Sequence, residues 1–484
     1  MTLSRREFLQ GSAAVSLGFV GLRTLFANDE TAVALADAAA GRRTSGLGPL
    51  VTDPEGVFDL PKGFQYRILS RVGETMDDGL RVPNFHDGMG TFPGPDDKTL
   101  LLRNHEVPYS YSTGGAFGDS GELLDKVDRS KLYDLGGELP YLGGVTTLLY
   151  DTRAGKLEGH WLSLAGTTMN CSGGVMPWGS WISCEETTLR KGTFDLEDGS
   201  RIRVRRDHGY NFEVPARAGG GLVEPVPIRP MGRFLHEAVA CHVPSGAIYQ
   251  TEDRSDGVFY RFLPDHPGEL LRGGRLQALA LRKISRADTR NWEGTATPLE
   301  AGTTFQVDWL DLDNVESPAD DLRLQAYEKG AARFARGEGL WCDDTQVFFD
   351  CTTGGAKKLG QIFRYVPSPH EGKPDEKANP GTLELFLESP SRDLLTNSDN
   401  LTITPWGDLF VCEDHALTAD VRRKHLVGFT PDGRAYHVGR NRMNEAELAG
   451  CVFSPDHSTL FVNIQWPGLT LAITGPWPST AKPG

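Results

Sequence analysis

The stretch Gly166-Thr-Thr-Met-Asn-Cys-Ser-Gly-Gly-Val-Met-Pro-Trp-Gly-Ser-Trp-Ile-Ser-Cys-Glu-Glu186 decides the fold. It reads as a hairpin. Cys171 opens it, Pro177-Trp178-Gly179 turns it, and Ser180 to Cys184 forms a short apolar strand closed by Glu185-Glu186. Antiparallel strands joined by a tight turn bring their outer ends together. A soft thiolate and hard carboxylates therefore meet at one place, which is the composition of a metal site.

Outward from this stretch, the same hairpin recurs until there are six. Asp87 to Pro93 leads to Thr99 through Glu106, and Cys171 to Pro177 leads to Ser180 through Glu186. Glu237 to Pro244 leads to Ala247 through Asp253, and Glu338 to Asp344 leads to Val347 through Thr353. Asp399 to Pro405 leads to Asp408 through Asp414, and Glu447 to Pro455 leads to Thr459 through Gln465. Further strands lie between them, such as Gly144 to Asp151, Val258 to Phe262 and Gln361 to Tyr365. A hairpin followed by one or two more strands is a propeller blade. The pattern predicts an all-β, six-bladed β-propeller with loop and helical insertions, as one domain over 51–484.

The six hairpins open on Asp87, Cys171, Glu237, Glu338, Asp399 and Glu447. The innermost strand of a blade starts at one mouth of the central channel, so these residues form a ring. The hairpin ends Glu106, Glu185, Glu186, Glu252, Asp253, Glu413 and Asp414 lie near the same mouth. So many carboxylates repel one another unless cations neutralise them. Calcium suits several hard oxygen ligands, and Cys171 adds a transition metal, iron being the natural choice for mixed thiolate and carboxylate ligation.

One helix is predicted, from Ser317 to Arg336, with Ser317 as N-cap, Pro318 at the first turn and Gly337 as its stop. It hands Arg336 and Glu338 to an inner strand, and an arginine beside a ligand carboxylate can hold an anion through its fork. The insertion from Leu189 to Arg233, with Arg201, Arg203, Arg205 and Arg206, reads as a solvated loop.

The formal charge of -15 argues against a nucleic-acid partner. Ser4 to Leu9 carries a twin-arginine signature and Gly11 to Leu22 a short apolar run that Arg23 ends. The reading is a signal peptide over 1–30, a linker over 31–50, transport by the twin-arginine export machinery to the periplasm or beyond, and no stable membrane anchor. The seven cysteines contain no Cys-x-x-Cys pair. A Gly-x-Ser-x-Gly elbow, a phosphate loop and a dinucleotide fingerprint are absent, and His236 to His242 has the wrong spacing for a zincin.

These residues resemble the PhoX family of secreted alkaline phosphatases. The matching stretches are Ser4 to Leu9, Asn104-His-Glu106, Gly143 to Thr147, Thr168 to Glu186, His236-Glu-Ala238, Arg336-Gly-Glu338, Ser398 to Asp414 and Phe453 to Gln465. The resemblance implies hydrolysis of small phosphomonoesters at an iron–calcium cluster in a propeller funnel. It implies Cys171 as an iron ligand, Glu237 and Glu338 as bridging carboxylates, and Arg336 as the phosphate-binding residue. Glu106, Glu185, Asp399 and Glu413 would serve calcium. The family's Arg-Pro-Glu is Arg-Gly-Glu here, which keeps the ligand and the arginine but changes the stiffness of the loop. Two other readings stay open at this point: a calcium-dependent lactonase or esterase on the same architecture, and an exported, non-catalytic binding scaffold. A monomer is expected.

Overall fold

Short runs of β-branched and aromatic residues, bounded by Gly, Pro and Asp turns, make strands rather than helices. A computed structural model describes residues 46–479 except 138, 197–198, 297 and 415–422. The twin-arginine segment and most of the linker lie outside the described residues.

In chain order, β1 (Leu50–Val51) pairs with β2 (Phe58–Pro61), and β3 (Gln65–Arg71) runs apart from them. β4 (His86–Pro93), β5 (Thr99–His105), β6 (Gly143–Asp151) and β7 (Lys156–Thr167) form a sheet in sequence order. β8 (Asn170–Met176) and β9 (Ser180–Glu185) are followed by the hairpin β10 (Gly192–Asp195) and β11 (Arg201–Val204), then by β12 (Asn211–Pro215), which joins β9. β13 (His236–His242), β14 (Ala247–Glu252), β15 (Tyr260–Pro264), β16 (Gly274–Leu281) and β17 (Thr304–Asp311) precede the single α-helix among the described residues, α1 (Leu322–Lys329). Then come β18 (Gly337–Cys342), β19 (Val347–Cys351), β20 (Gln361–Val366) and β21 (Thr382–Glu388). β22 (Ser398–Ile403), β23 (Leu409–Glu413), β24 (His425–Phe429) and β25 (Ala435–Asn441) follow, and β26 (Leu448–Phe453), β27 (Thr459–Ile464) and β28 (Leu469–Thr474) close the chain.

All six hairpins exist: β4–β5, β8–β9, β13–β14, β18–β19, β22–β23 and β26–β27. Their first strands pack side by side in a closed ring, β4 against β8, β13, β18, β22, β26 and back to β4. This is a propeller arrangement. The ladders, however, do not divide into the six separate blades that the sequence predicts. They give four blade sheets, begun by β4, β8, β22 and β26, and one continuous nine-stranded sheet from β13 to β18. The reason lies in β17. Its second half pairs with β16 and its first half, from Thr304 to Gln306, pairs with β21. The N-terminal strands complete other sheets: β3 pairs with β28, and β2 with β25.

The core lies between adjacent sheets. Phe259, Phe349 and Phe363 stack between the β13–β16 and β18–β21 strands, with centroids 4.1 and 5.2 Å apart. Around the axis the inner strands approach so closely that glycine is required. A Cβ on Gly339 would lie 2.4 Å from the Asp399 carbonyl, and one on Gly450 would lie 2.6 Å from that of Asp87.

The helix is shorter than the sequence suggests. Gly330 adopts φ +112° and its N–H caps Ala326 and Tyr327, so Ala331 to Arg336 leave the helix although Ala331 and Phe334 stay buried. The Leu189 to Arg233 insertion is not all loop. It supplies the outlying hairpin and the third strand of its blade, and Arg233 is buried, donating to the carbonyls of His208, Thr188 and Ser317.

Candidate metal and anion site

Each of the six inner strands breaks register with its partner after one or two residues. The shifts fall between His86/Met89, Asn170/Gly173, His236/Val239, Gly337/Leu340, Ser398/Leu401 and Ala449/Val452. A bulge bends its strand and re-aims the extra side chain. The re-aimed residues are Asp87, Cys171, Glu237, Glu338 and Asp399. The sixth strand has Gly450-Cys451 there, and its acid comes instead from Glu447, just before the strand.

The entry to each bulge is also repeated. The carbonyls of Phe85, Met169, Leu235, Arg336, Asn397 and Glu447 accept from the N–H groups of Glu106, Glu186, Asp253, Thr352, Asp414 and Gln465, at 2.7–3.2 Å. Phe85, Met169, Arg336 and Asn397 hold left-handed backbone, φ +47 to +57°. Strained, non-glycine backbone of this kind persists where surrounding structure fixes it, and it gathers at functional sites.

Side-chain hydrogen bonds from the neighbouring hairpin then fix three of the bulges. Asn104 Nδ2 donates to the carbonyls of Ser172 (2.6 Å) and Cys171 (3.2 Å). Thr251 Oγ1 donates to that of Glu338, and Asn463 Nδ2 to that of Asp87, both at 2.5 Å.

The result is a cavity of about 560 Å³ at one mouth of the axis. Asp87, Glu106, Cys171, Glu186, Glu237, Asp253, Glu338, Asp399, Asp414, Glu445 and Glu447 line it, with Arg336 as the single cationic side chain among the described residues. In three sets the donor atoms lie within 4.8 Å of one another: Cys171, Glu186 and Glu237; Glu237, Glu338 and Asp399; Asp87, Glu106 and Glu447. Glu237 belongs to two of them. Gln465 Nε2 bridges Asp87 (2.9 Å) and Glu106 (2.7 Å).

Electrostatics follow from burial and crowding. Burial first, then the neighbouring Glu338 and Glu186, push the Glu237 carboxyl well above its usual range. Glu106, Glu186, Glu338 and Asp399 are raised for the same two reasons, and Asp87 is pushed up to about 7. Burial and then Glu237 raise the Cys171 thiol. These groups are short of positive charge, so the donor chemistry fits cations: hard oxygens in two of the sets and a thiol beside carboxylates in the third.

Arg336 answers to the same field. Burial alone would lower it, but Glu338 and Asp253 hold it protonated. Its Nε and Nη2 donate to both oxygens of Asp253, at 2.7 and 2.6 Å, and Nη2 also reaches Glu338 at 3.0 Å. Nη1 is buried and makes no hydrogen bond among the described residues, and it stands 3.8 Å from Asp414 Oδ2.

Of the residues read from the sequence, Cys171, Glu237, Glu338, Glu106, Asp399 and Arg336 come together here. Glu185 and Glu413 do not line the cavity; Glu186 and Asp414 do. Successive side chains on a strand face opposite ways, and Glu185 and Glu413 point into their own blades. Glu185 accepts from His208 Nδ1 (2.6 Å) and the Gly209 N–H (2.9 Å). Burial would lower that imidazole, but Glu185 and Asp134 raise it to about 9. Glu413 accepts from the N–H groups of Thr396 and His425, both at 2.8 Å. Asn444 and Trp466, which no motif marks, complete the wall.

No match is found among curated proteins. Among solved structures, the chain is similar to Pseudomonas fluorescens PhoX in complex with vanadate, a transition state analogue, with 18% identity, 88% of this chain and 97% of that chain covered, and a TM-score of 0.62. A gluconolactonase from Xanthomonas campestris matches at 14% identity over 90% of this chain and 100% of that chain, with a TM-score of 0.35. The family model described as alkaline phosphatase PhoX matches residues 45–138 and 150–468, which is most of the chain. On that match the chain belongs to the alkaline phosphatase PhoX family, and it is a phosphoric monoester hydrolase that depends on metal.

Proposed function

We propose that this chain is an exported phosphatase of small phosphomonoesters whose site is the acidic funnel, with calcium and iron held there. The single observation that carries this reading is Arg336 Nη1, a buried guanidinium nitrogen without a hydrogen bond among the described residues, in a cavity lined mostly by carboxylates. An anion completes it. On this reading the ring of inner strands is the axis of six blades, with the nine-stranded sheet counting as two blades joined through β17.

Cys171 with Glu186 and Glu237 is the set suited to iron, because it pairs a soft donor with hard ones. Glu237, Glu338 and Asp399, and Asp87, Glu106 and Glu447, suit harder cations such as calcium. When bound, the metals supply charge neutralisation for a phosphoryl group and an oxygen nucleophile at moderate pH. The chain does the rest. Asp253 and Glu338 fix the Arg336 fork, so Nη1 meets a non-bridging phosphate oxygen with its orientation already set. No side-chain nucleophile is needed. The twin-arginine signature supports delivery to the periplasm or beyond, by a route that carries folded, metal-loaded protein.

A chromogenic phosphomonoester assayed with calcium, with chelator and with Cys171→Ala tests the reading. Loss of at least about 100-fold in turnover on chelation, and a comparable loss in the variant, is expected. Activity untouched by both changes would sink it. Elemental analysis of the purified protein is expected to find iron together with calcium.

A further inference from the structure

The chain contains nine tryptophans, and Trp466 is the one strongly exposed among the described residues, at 52%. It does not lie on the outer wall. It lines the funnel with Arg336, whose side chain is only 23% exposed, so the indole stands at the outer end and the guanidinium deeper. Trp466 is carried on the four-residue link between β27 and β28, which limits its backbone. Asn444 Nδ2 donates to the Trp466 carbonyl at 2.8 Å, and Gln465 is tied to Asp87 and Glu106. A large, planar apolar ring is thus open to solvent at the rim of a charged hole.

Such a ring is a stacking surface. Bases and other planar rings stack on aromatic side chains without regard to their edges. Its neighbours on the wall, Glu445 and Glu447, are acidic and repel a second anionic group. We propose that Trp466 is the leaving-group platform of the funnel, selecting phosphomonoesters whose alcohol carries an uncharged planar ring, a nucleoside or a phenol, over those of small aliphatic alcohols. The proposal rests on the phosphatase reading above: the phosphate goes down to Arg336 and the ring stays at Trp466.

The test compares AMP with glycerol 3-phosphate on the metal-loaded enzyme and on Trp466→Ala and Trp466→Phe. The AMP-to-glycerol phosphate ratio of kcat/KM is expected to fall about tenfold in W466A, the size of one lost stacking contact. W466F, which keeps a stacking face, is expected to recover most of it. A ratio that does not move overturns the proposal. So does an equal loss on both esters, the mark of a merely structural role. If the wild-type enzyme hydrolyses neither ester, it is the phosphatase reading that falls. Calorimetric titration with AMP then judges the platform alone, and equal affinities of wild type and W466A overturn it.

Discussion

Arg336 is fixed before any substrate arrives. Two of its three nitrogens are taken by Asp253 and Glu338, its backbone is left-handed at φ +57°, and only Nη1 is free to meet an anion. A lysine there brings charge without the planar fork and cannot hold Asp253 and a phosphate oxygen together. Arg336→Lys is therefore expected to lower kcat/KM by about 100-fold and to weaken inhibition by inorganic phosphate, both read from steady-state kinetics. Cys171, Glu237, Glu338 and Asp399 were legible in the sequence because the hairpin repeat put them in one frame, and Arg336 because it stands two residues before Glu338. Glu185 and Glu413 were not separable from Glu186 and Asp414. The chain offers acidic doublets, Glu185-Glu186 and Glu413-Asp414, and the bulge that decides which member faces the axis leaves no mark in composition. In the sixth unit the frame slips, and the acid enters one residue before the strand.

Three of the bulged strands are held by donors that sit two residues before a hairpin end, Asn104, Thr251 and Asn463. Asn104 is the fullest case: its amide donates to two carbonyls of the β8 bulge and its oxygen accepts from Trp181 Nε1 at 2.9 Å. Asn104→Leu leaves these buried groups unpaired, at a cost of about 2 kcal/mol each way of counting a lost buried donor. A lower melting temperature is expected, with weaker iron retention after dialysis, since Cys171 rides on that bulge. An unchanged melt would show that the clamp is dispensable. An asparagine in a strand reads only as polar, so this device was invisible in the sequence. The same holds for β17, whose division between two partners no local pattern shows. The predicted helix failed for a different reason: its apolar spacing continues past Gly330, but a left-handed glycine with a capped carbonyl turn ends the helix there.

The closed ring turns acids far apart in the chain into one electrostatic object. Without cations, Asp87, Glu106, Glu186, Glu237, Glu338 and Asp399 are raised by burial and by neighbouring acids, so the folded protein binds protons that the unfolded chain releases. The sign follows. A group whose folded value lies above its unfolded one contributes stability that is whole below the unfolded value and is lost as pH rises through the folded value. For Asp87 the window runs from 3.8 to about 7, and Glu106, Glu186, Glu237, Glu338 and Asp399 shift in the same direction. Chelated protein is therefore expected to melt several degrees higher at about pH 5.5 than at about pH 8. Cations that bind the ionised form should supply the missing charge, so the calcium- and iron-loaded protein should melt higher throughout and lose this slope. Differential scanning fluorimetry across that range, with and without chelator, reads both. Parallel curves in the two conditions would mean that the acids do not act together on bound metal, and that the ring of inner strands carries its charge for some other purpose.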